Sequence, residues 1–143
     1  MSILGLDLGE KRIGVAHSDE LNSLAHGIGF IARKDETTVL RSIEHFLDQY
    51  RIDKIVVGLP KTMKGEVGTQ AGKVLGFVEM LKKKLACPVL TWDERLTTVQ
   101  AERSLIAQDV SRAKRKMKRD GIAAEIMLQS YLDFEREGKV KHV

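Results

Sequence analysis

Residues 3–16, ILGLDLGEKRIGVA, set an acid, Asp7, into an otherwise apolar run punctuated by Gly5, Gly9 and Gly14. A carboxylate inside a buried strand is costly unless something compensates it. Two accounts fit this stretch: a strand-end Asp in a tight turn, or a metal-binding or catalytic acid whose glycine neighbours let an ion or a phosphate approach the backbone. The rest of the chain decides which partners Asp7 has.

The run Ser2–Leu8 is apolar on both faces, as expected of a central strand covered on each side. Gly9-Glu10-Lys11 is a turn, and Arg12–His17 comes closely enough after it to form a hairpin. After the polar turn Asp19–Ser23, Ala25–Ala32 reads as a third strand with Ile28, Phe30 and Ala32 on one face, weakened by Gly27 and Gly29. The period then changes. Val39, Leu40, Ile43, Phe46, Leu47 and Tyr50 fall at three- and four-residue steps, which predicts a helix over 36–50. Lys54–Gly58 is a short β-branched strand, and Leu59–Gly68 a loop carrying Pro60, Lys61 and Lys64. That loop serves either as a plain connection or as a set of backbone amides for a phosphate. Thr69 caps a helix to about Lys84 with Val74, Val78, Leu81 and Leu85 inward. Pro88–Trp92 is a fifth strand. Thr97 and Gln100 form a capping box for a helix to about Ala107, and Asp120 heads a last helix to about Glu135.

This order predicts an α/β fold: a mixed five-stranded sheet, three antiparallel strands then two parallel ones added by right-handed crossovers, with helices on both faces. Strand one lies in the middle with strand four beside it. The 143 residues suffice for one domain, 1–143, with one core. No secretion signal is expected at the start, and no apolar run reaches the length of a membrane span. A single cysteine, Cys87, excludes an intrachain disulfide and a cysteine-based zinc cluster. A reducing cytoplasm is the expected compartment.

Ligands of such sheets gather at the carboxyl ends of the central strands. Asp7 stands at one such end, the Gly58 loop leaves a second, and Glu94 leaves a third. Asp120 shares a helix face with Ala123, Ala124, Met127, Leu128 and Tyr131, which turns it toward the sheet. Each acid alone has a bland role: Asp120 as a helix cap, Asp93 and Glu94 as turn residues or partners of Arg95. Together they suit two-metal phosphodiester cleavage. Hard Mg²⁺ or Mn²⁺ takes carboxylate oxygens and water, and paired ions about 3.5–4 Å apart serve attacking and leaving oxygens. His17, His26, His45 and His142 show no metal-ligand spacing and read as structural or surface residues.

Charge adds the substrate class. Residues 112–119, RAKRKMKR, hold six cations and no acid, and without them the net charge of +4 becomes −2. So concentrated a block seeks solvent or a polyanion, and nucleic acid is the sharper reading. Arg112, Lys114, Arg115, Lys116, Lys118 and Arg119 are the backbone-contact candidates, with Lys11, Arg12 and Arg95 beside the acids. Aromatic content of 5% argues for reading of backbone and shape over base stacking.

Four blocks in order, Asp7–Ala16 (DLGEKRIGVA), Gly58–Pro60 (GLP), Trp92–Thr98 (WDERLTT) and Ser111–Leu132 (SRAKRK followed by DGIAAEIMLQSYL), resemble the YqgF or RuvX family. The resemblance implies a ribonuclease H-like fold and a bacterial cytoplasmic nuclease processing the 5′ end of the small-subunit ribosomal RNA precursor. Holliday junction resolution is the older proposal for the family. By motif, Asp7, Glu94 and Asp120 carry over as catalytic and metal-binding acids, with Gly9, Gly58 and Pro60 near the site. Resolvases of the RuvC type carry a further Asp about one turn beyond the last acid. Here Ala123, Ala124 and then Glu125 stand instead, which weighs against resolvase activity.

The substrate is then structured RNA or branched DNA, the cofactor Mg²⁺ or Mn²⁺, and the assembly a monomer or a homodimer, two-fold for a resolvase. A non-catalytic RNA-binding assembly factor is the rival from another class. The Asp-Leu-Gly hairpin also resembles the phosphate loop of actin-like ATPases, whose second domain a chain of this length cannot supply.

Overall fold

Strand β1 (Ser2–Leu8) is the middle of a sheet ordered β3-β2-β1-β4-β5. The structure is a computed structural model that describes residues 1–59, 69–93 and 119–141; the side chains of 69–71, 119, 120 and 138–141 are outside the description. β2 (Arg12–Ser18) and β3 (Ala25–Ala32) pair antiparallel in succession. β4 (Ile52–Leu59) and β5 (Val89–Asp93) pair parallel on the other side of β1. The expected mixed sheet is therefore the observed one.

Alternation along β1 builds two cores at once. Leu4 and Leu6 join Ile13, Val15, Ile31, Ile55 and Val57 on one face. Helices α1 (Glu36–Gln49) and α2 (Thr69–Lys84) cover that face with Val39, Ile43, Val74, Val78 and Leu81. Asp35 caps α1, its carboxylate accepting from the Thr38 N–H at 2.7 Å. On the opposite face Ile3, Ala16, Ala25 and Val56 meet Ala124, Met127, Leu128, Tyr131 and Leu132 of helix α3 (Arg119–Lys141). Helices thus lie on both faces.

Several boundaries shift. β4 starts at Ile52 and takes in Leu59, which belongs to the strand and not to the loop after it; Leu59 is a core residue at 8% exposure. β5 runs one residue further, through Asp93, and α3 continues to Lys141. Ala123 is exposed, so the inward face of α3 is carried by Gly121, Ala124, Met127 and Leu128. The proposed 97–107 helix lies outside the described residues.

β3 departs most from expectation. Val15 pairs with Gly29 but Ala16 with Gly27, so Ile28 is an extra residue, and Gly29 sits at φ +142°. One extra residue reverses the facing of the strand beyond it. Ala25 points to the α3 core and Ile31 to the α1–α2 core, although their spacing alone would put them together. Ile28 packs on the α1–α2 side, while Phe30 is 53% exposed. The single apolar face expected for Ile28, Phe30 and Ala32 does not exist, because the bulge falls between the first two.

Candidate nucleic-acid-cleaving site

Asp7 faces the α3 side of the sheet, as Ile3 and Gly5 do four and two residues earlier. Its neighbour across the β1–β2 ladder is Gly14. On the other side β1 and β4 are in register at Leu6 and Val57, so the next step brings Gly58 beside Asp7. The carboxylate is therefore half-buried between two strands that offer no side chain next to it. Among the described residues no hydrogen bond or ion pair holds it.

The other glycines of the motif do different work. Gly5 lies under Leu128, whose Cβ is 3.0 Å from where a Cβ on Gly5 would stand. Gly9 closes the β1–β2 turn: its N–H donates to the Arg12 carbonyl at 2.8 Å, and the same oxygen is 2.8 Å from the place of a Gly9 Cβ. The Arg33 guanidinium donates to the Gly9 carbonyl at 2.7 Å and steadies the turn. Lys11 and Arg12 are exposed there, beside the carboxyl end of β1.

α3 begins over the bulge. A Cβ on Gly27 would stand 2.8 Å from the Gly121 carbonyl oxygen, and one on Gly121 would stand 3.2 Å from Gly29 N. Contact this close is possible only between glycines. Two side chains then bind the helix to the edge strand. The Gly27 N–H donates to Glu125 Oε1 at 2.9 Å. The Ala25 N–H donates to Gln129 Oε1 at 2.8 Å, and Gln129 Nε2 donates to the Ser23 carbonyl at 2.9 Å. At the far end Lys54 Nζ donates to Tyr131 Oη at 2.9 Å and to Glu135 at 3.1 Å, while the Tyr131 hydroxyl donates to Glu135. Burial pulls the Lys54 ammonium down, but these bonds outweigh it and hold it above its ordinary range. The backbone of Asp120, in the first turn of α3, is thereby fixed on the same face of the sheet as Asp7.

Glu94, Arg95, Pro60, Arg112, Lys114, Arg115, Lys116 and Lys118 lie outside the described residues, as do the side chains of Arg119 and Asp120. Among the described residues no three His, Cys, Asp or Glu side chains form a metal-sized group. Asp7, without a partner among the described residues and flanked by glycines at the end of a central strand, nevertheless has the chemistry and the clearance that a hard divalent ion requires. His17 is structural: its ring stacks on Tyr50 at 4.2 Å and its Nδ1 is 2.9 Å from the Ser18 carbonyl. Trp92, in register with Gly58, packs edge-on to Tyr131 at 5.5 Å; its buried Nε1 meets no acceptor among the described residues.

The sequence ends the fourth strand at Gly58 and leaves the loop after it as either a connection or a phosphate cradle; it does not show that Gly58 flanks Asp7 within the sheet. It also places Phe30 on an apolar face with Ile28; the Gly27/Gly29 pair is the available signal of the bulge. The engagement of Glu125 with Gly27 has no sequence signal, since it depends on the angle at which α3 crosses β3.

Comparison with known proteins points the same way. A profile of the RuvX family, described as Holliday junction resolvase, matches residues 1–134. A relative from Caldanaerobacter subterraneus, provisionally named a pre-16S rRNA nuclease, is 51% identical over 137 residues, covering 95% of this chain and 99% of its own. One from Halothermothrix orenii under the same provisional name is 48% identical and covers 96% and 98%. Among solved structures, Thermus thermophilus RuvC in complex with Holliday junction substrate aligns at TM-score 0.64 and 17% identity over 96% of both chains. The fowlpox virus Holliday junction resolvase aligns at 0.52 and 19%, covering 94% and 99%. At these identities the two structures establish the shared ribonuclease H-like fold.

Proposed function

The chain belongs to the RuvX family, matched over residues 1–134 and by relatives about half identical along nearly their whole length, and from that premise we propose that it is a divalent-metal-dependent nuclease of the ribosomal RNA precursor. The observation that carries the reading is Asp7: a half-buried carboxylate at the carboxyl end of the central strand, between Gly14 and Gly58, with no protein partner among the described residues.

In this reading residues 1–143 act as one domain. Asp7, Glu94 and Asp120 supply the oxygen ligands for Mg²⁺ or Mn²⁺. Bound ions of this kind polarise a phosphate and lower the pKa of water, which is the chemistry phosphodiester hydrolysis needs. The chain itself contributes position and charge. β1 and β4 bring Asp7 to the sheet end with clearance on both sides. α3, pinned through Glu125, Gln129 and Lys54, sets the height of Asp120 over the sheet. Lys11, Arg12, Arg95 and the 112–119 block hold phosphates away from the cut, which makes affinity salt-dependent. A bacterial cytoplasm is the compartment that fits such a substrate.

The family description also points to branched DNA, and that is the second reading. Against it, the place of the additional resolvase acid is held by exposed Ala123 and buried Ala124, and the next acid, Glu125, is engaged by the Gly27 N–H. The two separate when precursor 16S rRNA and a four-way DNA junction are offered in parallel with Mg²⁺, Mn²⁺ or EDTA. The RNA reading expects cleavage at the 5′ side of the precursor with either ion and none in EDTA. Paired symmetric incisions in the junction, with the RNA intact, would replace it by the resolvase reading. No cleavage of either, with RNA still bound, would leave an RNA-binding assembly factor.

A further inference from the structure

We propose that Phe30, with Arg12 against it, is a stacking platform for an unpaired nucleobase close to the bond that is cut. The inference rests on the nuclease reading for its placement beside Asp7 and goes beyond that reading in naming a base contact.

Four observations carry it. First, Phe30, Gly14 and Asp7 form one row. Phe30 is in register with Gly14, Gly14 with Asp7, and residues opposed across a ladder point to the same face. No side chain stands between the ring and the carboxylate in that row, and two strand spacings separate them by about 10 Å. Second, Phe30 is 53% exposed, although its neighbour Ile31 is 5% exposed in the core. Third, the exposure is built in. The bulge at Ile28, with Gly29 at φ +142°, turns Phe30 away from the α1–α2 core and onto the face of Asp7. Bulges recur beside active sites because they re-aim a side chain in this way. Fourth, the Arg12 guanidinium carbon lies 5.0 Å from the Phe30 ring centroid. The aromatic surface thus carries positive charge against it, which suits an anionic ligand.

The other large apolar side chains exposed among the described residues lack this setting. Leu21 and Leu24 are in the β2–β3 connection at the opposite end of the sheet, and Phe134 is on the far part of α3 beside Trp92. A lone exposed apolar residue is ordinary. An aromatic ring in the row of a metal-suited acid, with a guanidinium beside it, is a site for a flat, apolar and anionic ligand, which describes a nucleotide. Stacked nucleotides rise about 3.4 Å each along a strand, so about 10 Å places the stacked base roughly three nucleotides from the phosphate at Asp7, or fewer where the strand is splayed. Low aromatic content argues against general stacking recognition; one ring is enough for one base.

The test is equilibrium binding in EDTA, where no cleavage occurs, using single-stranded oligoribonucleotides and oligodeoxyribonucleotides that carry fluorescent 2-aminopurine. Phe30→Ala should weaken single-strand binding about 5- to 100-fold and abolish the quenching of the probe base, while Phe30→Trp retains both. Phe30→Leu, which keeps an apolar side chain, should behave as Phe30→Ala. Binding of a fully paired duplex should not change, because its bases are not free to stack on the ring. Arg12→Ala, in contrast, should weaken both ligands and lower the salt slope by about 1. A loss on only one of the two sugars would identify which strand the platform serves. The proposal is overturned if Phe30→Ala binds both single strands as tightly as the unmodified protein, or if Phe30→Leu matches it. Because cleavage is not read, a failed nuclease reading leaves these outcomes interpretable.

Discussion

Replacing Gly27 by alanine tests how α3 is seated. The added Cβ would stand 2.8 Å from the Gly121 carbonyl oxygen, 3.0 Å from its carbon and 3.4 Å from its Cα. A comfortable carbon–oxygen approach is about 3.3 Å or more, so the strand and the first turn of the helix must part by about 0.5 Å. Both sides are backbone, and no rotamer change relieves them. Overpacking of this kind costs about 1–3 kcal/mol, which lowers the melting temperature of a chain this size by about 4–12 °C. The same movement lifts the first turn of α3, and with it Asp120. Where about 1 Å of misplacement costs about 100-fold in rate, 0.5 Å predicts a loss of about tenfold. Gly76→Ala is the control. It lies in α2, nothing stands within 4 Å of its Cβ, and it should stabilise by about 0.5–1 kcal/mol with unchanged cleavage. Thermal melts and cleavage rates of the two variants would refute the reasoning if Gly27→Ala melted and cut like the unmodified protein.

Three further outcomes come from other parts of the fold. Lys54→Met should cost roughly 1 kcal/mol after allowance for partial solvent exposure, because Tyr131 and Glu135 lose the bonds donated by the ammonium and keep the one between them. Hydrogen bonding holds the Lys54 pKa above 10.5, so its contribution is complete below pH 10.5 and disappears as pH rises through the folded value; the deficit measured by denaturant melts should close in strong alkali. Burial raises the Asp19 pKa, but the Ser23 and Leu24 N–H groups and the Ser23 hydroxyl outweigh it and leave it below 3.8. Its contribution is present above pH 3.8 and lost as pH falls through the folded value, so Asp19→Asn should weaken the fold at neutral pH and match the unmodified protein in strong acid. Neutralising Lys114, Arg115, Lys116 and Lys118 together should lower the salt slope of RNA binding by up to about 3, read from affinities at several salt concentrations.

The sheet was legible because its signals are local. A strand apolar on both faces must be central, and the helical period of Val39–Tyr50 cannot be confused with a strand. The crossover rule then places β4 parallel beside β1, with β5 beyond it. The place of Asp7 near the end of the central strand was legible for the same reason, as an acid where only apolar residues belong. Contacts between elements distant in the chain were less visible. That Gly58 flanks Asp7 depends on the β1–β4 register, which no single segment specifies. The bulge in β3 is one extra residue, and it reversed the reading of Phe30. The bonds from Glu125 and Gln129 to the edge strand arise from the crossing of α3 over β3, about 100 residues apart in sequence. Glutamate on a helix gives no hint of that engagement until the crossing is known.

The most direct test of the account is Asp7→Asn, which keeps the shape of the side chain and removes its charge. Cleavage of precursor 16S rRNA should be measured across a Mn²⁺ titration, beside RNA affinity and melting temperature. The account predicts no cleavage at any Mn²⁺ concentration, with binding and melting close to those of the unmodified protein. Cleavage at the full rate by the Asn variant would contradict it.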